Sequence, residues 1–221
     1  TFSALAAMQR HWNRDTPTPN VDPKKTKYNT YYHGTKEVVK SVRAKLDEKG
    51  IVKLRTNGVL ALEFILTFSH EFLYEEGTDK LLPNAKESYR RWLISAVNWA
   101  KKTYGERLIS LEVHLDERTP HIHFLVLPID TSRSGKNVLN ARGITGGAKK
   151  LRAIQDSYAN AVAHCGLRRG VKGSTAKHTT IREFSHALSK GRELAKKIGY
   201  SKPPKHPVKF NEWNKNIAAL E

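Results

Sequence analysis

An α+β layered domain is the fold class that this sequence predicts, on three observations. Several runs alternate apolar and polar residues with a period of two. Two of those runs lie close enough in sequence to form an antiparallel hairpin, and segments with apolar residues at helical spacing are interleaved with them. The length of 221 residues suits one domain with a full core and an extension.

Taken in order, residues 2–8 read as a short strand. Residues 11–34 are polar, hold Pro17, Pro19, Pro23 and three tyrosines, and keep no period, so they are expected to form a long ordered loop or flap. Thr35 can cap a helix reaching about Lys49, with Gly50 as its stop. Leu60, Leu62, Phe64, Leu66 and Phe68 alternate with smaller or polar residues, as a strand does. Asn84 followed by Glu87 has the spacing of a capping box. Tyr89, Trp92, Leu93, Ala96, Val97, Ala100 and Tyr104 then form an apolar helical stripe ending at Gly105, read as core rather than as platforms for stacked bases. Strands are expected at 107–114 and 121–128, joined by 115–120. Residues 131–147, rich in Gly, Ser, Asn and basic side chains, are expected to be a surface loop, 148–164 a helix and 166–177 a basic connection. Thr180 with Glu183 opens a last helix to about Ile198, stopped by Gly199, and 202–207 reads as a linker. The domain is thus expected over 1–199. Residues 200–221 read as a linker and the start of a further region, because the chain lacks an initiator Met and ends within a helix-like stretch.

Composition excludes several classes. An apolar fraction of 38% argues against wholesale disorder, and no run approaches the ~20 apolar residues of a membrane-spanning helix. A signal peptide is not expected at residues 1–7, where no basic region precedes a short apolar stretch. The single Cys165 excludes a disulfide framework and a Cys-based zinc ribbon and suits the reducing cytoplasm, the expected location. Lys and Arg number 39 against 21 Asp and Glu, a net charge of +18. An excess of this size predicts a polyanionic partner, nucleic acid first and anionic membrane second.

The chemistry concentrates between His114 and His123. If the two flanking strands pair with His114 opposite His121, then Ile109, Leu111 and Val113 share one face with Ile122, Phe124 and Val126. Ser110, Glu112, His114, His121 and His123 fall on the other. His121 and His123 are then separated by about 6–7 Å along the strand, and His114 lies across from His121 at about 5 Å between Cβ atoms. A lone strand histidine is usually just a hydrogen-bonded polar residue. Three on one face, backed by an apolar face, point to a shared cation about 2.0–2.2 Å from each nitrogen. Glu117, in the turn, is placed to reach the same ion or a bound water. Three imidazoles without cysteine argue against a closed structural zinc cage. Imidazole suits Mn, Zn, Ni, Co or Cu better than Mg, while phosphate chemistry often recruits Mg or Mn. An open site of this kind in a basic protein points to phosphodiester chemistry.

The segment His-x-Asp-Glu-x-Thr-Pro-His-x-His contains the His-hydrophobic-His pattern of HUH endonucleases, and in full it resembles the relaxase domain of the MobV family, the Pre/Mob plasmid mobilisation and recombination proteins. His11-Trp12-Asn13-Arg14 resembles that family's N-terminal His-x-x-Arg, with Trp12 where an Asn is usual. Asn20, Asp22 and Asn29 follow at similar spacing, and Gly166-Leu167-Arg168-Arg169-Gly170 with Ser174, His178 and Thr179 resembles a third motif. The resemblance implies a central antiparallel sheet of about five strands with the His pair on a middle strand and helices packed against it. It implies site- and strand-specific nicking and religation of origin-of-transfer DNA, a covalent 5′-phosphoryl link to the protein, and a divalent metal, Mn2+ or Mg2+, with Zn2+, Ni2+ or Co2+ as substitutes. A conjugation coupling protein is an implied partner, and a homodimer is expected through a further C-terminal region.

The family pattern implies His11 as nucleophile, whereas most relaxases use tyrosine, and Tyr28, Tyr31 and Tyr32 lie on the same N-terminal segment. A phenol with pKa near 10 must first lose a proton. A neutral imidazole is already nucleophilic and needs only orientation of its other ring nitrogen, for which Asp22 is the candidate, with Asn20 and Asn29 beside it. Arg14 is expected to brace the scissile phosphate. Lys24, Lys25, Lys27, Lys136, Arg142, Lys149, Lys150, Arg168, Arg169, Lys172 and Lys177 sit in or beside loops and are candidates for phosphate contacts. The 131–147 and 166–177 segments are candidates for gripping a base-paired arm beside the nick. Three other readings stand beside the relaxase: an HUH replication initiator with a tyrosine nucleophile, a non-catalytic metal-containing DNA-binding module, and a small-substrate metallohydrolase, which the charge disfavours.

Overall fold

The computed structural model describes residues 1–173 except Pro19 and Gly77, together with Lys190. Two compact units make up the chain, Thr1–Arg169 and Gly170–Glu221, and the account below concerns the first. The last helix, the linker and the boundary expected near residue 199 fall, Lys190 apart, outside the described residues, as do Ser174, Lys177, His178 and Thr179.

A four-stranded antiparallel sheet forms the centre. Its strands are Thr30–His33 (β1), Leu62–Leu66 (β2), Leu108–His114 (β3) and His121–Val126 (β4), in the order β1-β3-β4-β2. The His-x-His strand is therefore an inner one, as expected, in a sheet of four strands where about five were anticipated. β3 and β4 are buried along their whole length, because helices cover both faces. Ala85–Tyr104 (α3) and Ala148–Val162 (α5) cover one face, where Trp92, Ala96, Tyr104, Leu108, Leu111, Val113, Ile122, Phe124 and Val126 form the larger core. Phe2–Trp12 (α1) and Val38–Glu48 (α2) cover the other through Leu5, Trp12, Val38, Val42, Leu46, Leu125 and Leu127. Among the described residues no helix is long and apolar enough to cross a membrane.

Several local expectations are corrected. Residues 2–8 are not a strand but most of α1, capped by the Thr1 hydroxyl, which accepts from the Ala4 amide at 3.2 Å. Leu5 and Trp12 lie seven residues apart, two helical turns, and both are buried on one side, while the alanines between them favour helix. The supposed loop at 11–34 contains the last turn of α1 and the edge strand β1. That strand pairs through Thr30↔Val113 and Tyr31↔Glu112 and carries a bulge between Tyr31 and His33. Residues 131–147 are likewise more than a loop: Ile129–Thr131 (β5) pairs with Asn137–Leu139 (β6), and Ala141–Thr145 (α4) follows, capped by Asn140. Of the three predicted helix caps, the two among the described residues do not form as drawn. Thr35 accepts from the Glu37 amide ahead of α2, and Asn84 makes no side-chain cap bond at α3.

The hairpin register is the one anticipated, with His114 opposite His121, Val113 opposite Ile122 and Leu111 opposite Phe124. A bulge between Leu108 and Ser110 then shifts the alternation. Leu108, not Ile109, joins Leu111 and Val113 on the α3 face, and Ile109 packs with Leu125 and Leu127 on the other.

Gly34, which leads out of β1, has φ +69°, and a Cβ there would lie 2.3 Å from the Ile109 carbonyl oxygen. Gly34→Ala is expected to destabilise the domain by about 2 kcal/mol or more, since it adds left-handed strain to a backbone clash. The check is a denaturant titration in which the midpoint falls.

Candidate active site

The hairpin brings the three imidazoles together on the α1 face. Ring centroids lie 5.3 Å apart for His114 and His121, 4.7 Å for His114 and His123, and 4.9 Å for His121 and His123. One nitrogen from each ring lies within 4.8 Å of the others. All three are buried, His114 completely.

Each ring is held from behind. His121 Nδ1 is 3.0 Å from the Thr119 carbonyl oxygen and therefore donates. His123 Nδ1 donates to Glu63 Oε1 at 2.8 Å. These bonds assign the proton to Nδ1 and leave the Nε2 lone pairs of both rings free, as metal-ligating histidines require. His114 is bracketed by Arg14 Nη2, 2.9 Å from its Nδ1, and by Glu112 Oε2, 3.1 Å from its Nε2. The Nε2 contact lacks hydrogen-bond geometry, so a buried nitrogen and a buried carboxylate oxygen are left without bonded partners. A three-imidazole donor set with a buried unsatisfied member fits a divalent cation of the imidazole-accepting class.

Burial favours the neutral form of two of the rings. It pushes the His114 pKa down to about 2, helped by His123 and Arg14, and lowers that of His121. Burial raises the Glu112 carboxyl to about 7 against the opposing Tyr31 bond and the Arg14 charge. At Glu63 burial also acts upward, but the bonds from His123 and Trp12 outweigh it and hold the pKa below the ordinary value.

Arg14 occupies the neighbouring position. Its Nη2 donates to Asp116 Oδ1 at 2.7 Å and Glu117 Oε1 at 2.8 Å, and its Nε to Asp116 Oδ2 at 2.9 Å. Its own backbone is left-handed, φ +60°, which costs a non-glycine residue about 1–2 kcal/mol. The buried ion pairs hold it there, and they also fill the second acidic grouping, His114 with Asp116 and Glu117, with a resident cation. Arg14 thereby ties α1 to the hairpin turn. Asp116, which the sequence reading left unassigned, is the hub of that tie. It also accepts from Thr26 and from Asn29 Nδ2, each at 2.9 Å. These bonds overcome burial and hold its pKa well below the usual carboxylate range.

His11, on the last turn of α1, meets His123 edge to face with centroids 6.1 Å apart. Burial lowers its pKa, and the Arg14 and His123 charges act in the same direction. Asn20 donates to Glu117 Oε2 at 2.6 Å, and Asn29 Oδ1 accepts from the Leu115 amide at 2.8 Å, so both brace the turn. The Asp22 side chain accepts from the Lys24 amide and pairs with Lys25. Glu117 Oε1 lies 3.6 Å from His121 Nε2, at the edge of the cage. The tyrosines separate. Tyr31 donates its hydroxyl to Asn13 Oδ1 at 3.0 Å, and burial and Glu112 raise its pKa far above the ordinary phenol value. Tyr32, at the bulge, interacts electrostatically with Tyr89 of α3, on the apolar side, and Tyr28 is exposed beneath Lys27.

A polar cleft of about 460 Å³, lined by residues including Trp12, Asn13, Asn29, Tyr31 and Glu112, opens beside the cage. A larger cavity of about 780 Å³ lies at the opposite end of α1, next to Lys136, and holds none of the histidines. Lys24, Lys25 and Lys27 are exposed on the segment joined to the cage by the Asp22 amide, which donates to the Asp116 carbonyl at 2.7 Å. Arg142, Lys149, Arg168 and Lys172 are exposed as well. Lys150 is taken up by the Arg142 and Gly143 carbonyls, and Arg169 by Asp156 and Gln155.

The family model described as plasmid recombination enzyme (Mob/Pre) matches residues 1–186. The chain belongs to this family. Among its relatives, Mob/Pre residues here align with a 65 kDa protein of Zymomonas mobilis at 33% identity, over 96% of the chain and 35% of that protein. They align with a plasmid recombination enzyme of Streptococcus agalactiae at 31% identity, over 76% of the chain and 32% of that protein. The chain therefore spans about a third of the length of these Mob/Pre relatives. Among solved structures it is similar to the MobM relaxase domain bound to plasmid pMV158 oriT DNA, with Mn bound. The TM-score is 0.68 and the identity 25%, covering 85% of this chain and 94% of that one. The Mob/Pre fold is thus that of a MobV relaxase domain.

Proposed function

We propose that this domain is a metal-dependent relaxase that nicks and reseals one strand of an origin-of-transfer DNA, with His11 as nucleophile. The observation that carries the reading is the half-buried His11 ring against His123, one member of a three-imidazole cage, at 6.1 Å between centroids. His114, His121 and His123 would hold the cation, Mn2+ or Mg2+, which when bound neutralises charge on the phosphate oxygens. Everything else falls to the chain. Thr119 and Glu63 keep two ring nitrogens aimed into the cage. Arg14, paired to Asp116 and Glu117, fixes the end of α1 against the hairpin turn, so that His11 is positioned before substrate arrives. The neutral His11 nitrogen attacks phosphorus, a P–N bond forms and the bond to the 3′ oxygen breaks. The proton on the other ring nitrogen is released as the 3′-OH is formed, and the 5′ phosphoryl group stays on the protein. Resealing is the reverse. Lys24, Lys25 and Lys27 are exposed on the segment bonded to the hairpin turn and would contact phosphates there.

The test is incubation of the protein with single-stranded candidate origin DNA and Mn2+, with mapping of the residue that carries the adduct. An adduct on His11 supports the reading, and tight DNA binding with no cleavage would favour a non-catalytic binding module.

A further inference from the structure

We propose that Glu63 is a positioning residue that couples the helix carrying His11 to the histidine cage, through one oxygen shared by two buried donors. Glu63 Oε1 accepts from His123 Nδ1 at 2.8 Å and from the Trp12 indole nitrogen at 2.9 Å, residues 60 and 51 positions away in sequence. The inference rests on the reading of the three histidines as a metal site.

The strand pairing explains why Glu63 can do this. In the β2–β4 register Ile65 lies opposite His123 and Glu63 opposite Leu125. Alternation puts Glu63 on the same face as His123, one diagonal step away, within reach of a long side chain. By accepting from Nδ1, the carboxylate selects one tautomer and fixes the plane of the ring. Outer-shell carboxylates have this effect on metal-ligating histidines. Trp12 supplies the other half. It is 1% exposed and its ring lies 5.5 Å from that of His123, and a buried indole N–H needs an acceptor. Because that acceptor is the atom that aims His123, the last turn of α1 is registered on the cage itself. His11 precedes Trp12 directly, so any shift of Glu63 moves the nucleophile's anchor and a cage ring together.

The experiment measures Mn2+ binding to the DNA-free protein by calorimetry, alongside long-range 1H–15N imidazole spectra of the metal-free protein. Wild type is compared with Glu63→Gln, Glu63→Ala, Trp12→Phe and the Glu63→Ala/Trp12→Phe double variant. Glu63→Ala is expected to weaken Mn2+ binding about 10–100-fold and to release His123 from the single Nδ1–H tautomer. Glu63→Gln, whose amide oxygen still accepts, keeps the tautomer and most of the affinity. Trp12→Phe weakens Mn2+ binding in the wild-type background but not in Glu63→Ala, because the coupling runs through the shared oxygen. Unchanged affinity and tautomer in Glu63→Ala overturn the proposal, and so do two single losses that simply multiply in the double variant. If Glu63→Ala does not fold, Glu63→Met, of similar length and without the acceptor, takes its place with the same expectations. A wild-type protein that takes up no Mn2+, or a His121→Ala variant that binds as well as wild type, overturns the metal reading and this proposal with it.

Discussion

His11→Ala is expected to yield a folded protein that binds Mn2+ and origin DNA but cleaves no strand and forms no adduct, a loss of about 10³-fold or more. The ring it removes touches His123 only at an edge, and His123 stays aimed by Glu63, so metal binding survives. In the wild type the adduct should be a phosphoramidate, labile in acid and stable in alkali. Its pH dependence has a definite sign. Protonation removes the lone pair that attacks, and burial, with the Arg14 and His123 charges, holds the His11 pKa below the ordinary imidazole value near 6.5. The nicking rate is therefore expected to stay level as pH falls through 6.5 and to decline only at lower pH. A fully active His11→Ala protein sinks the assignment. An acid-stable adduct that disappears on Tyr28→Phe would transfer the role to a tyrosine.

Removing a cage ring should act on a different pair of measurements. His121→Ala is expected to lower Mn2+ affinity by more than the about 10–100-fold that an outer partner is worth, and nicking should fall in step. Affinity for DNA should stay close to wild type, since the proposed phosphate contacts would come from cations outside the cage and carry their own salt dependence. Calorimetry with Mn2+ and a fluorescence titration with labelled single-stranded DNA separate the two. Parallel losses of metal and DNA binding would mean instead that the hairpin no longer folds.

The parts of this site that could be read in advance are those with short sequence separation. The pairing of His114 with His121 follows from the period of two on either side of a brief turn, and β3 and β4 adopt it. Elements whose identity depends on distant partners were less legible. β1 is a polar four-residue edge strand that becomes a strand only by bonding to β3, and α1 is too short for its apolar spacing to exclude a strand. The bulge that moves Ile109 to the other core leaves no mark in an apolar run. The same limit applies to the acids around the site. Asp116 stands inside the motif, yet its partner Arg14 lies 102 positions away. Glu63 is one polar residue in an alternating strand until β2 pairs with β4. Trp12, one aromatic residue beside His11 in the sequence, bonds to Glu63 only once α1 packs on the sheet.

The three cage histidines come from a single hairpin, whereas His11, Arg14 and Glu63 reach it from remote parts of the chain. Regions of a protein open with unequal free energies, and the segments held by the fewest buried contacts go first. On the reading proposed above, opening of the N-terminal helix while the inner strands stay paired would carry His11 away and break the Trp12–Glu63 bond in the same event, so cutting and cation affinity would fall together. Under mild heat or low denaturant, nicking and Mn2+ affinity are therefore expected to weaken in parallel, ahead of global unfolding, and both should return on cooling.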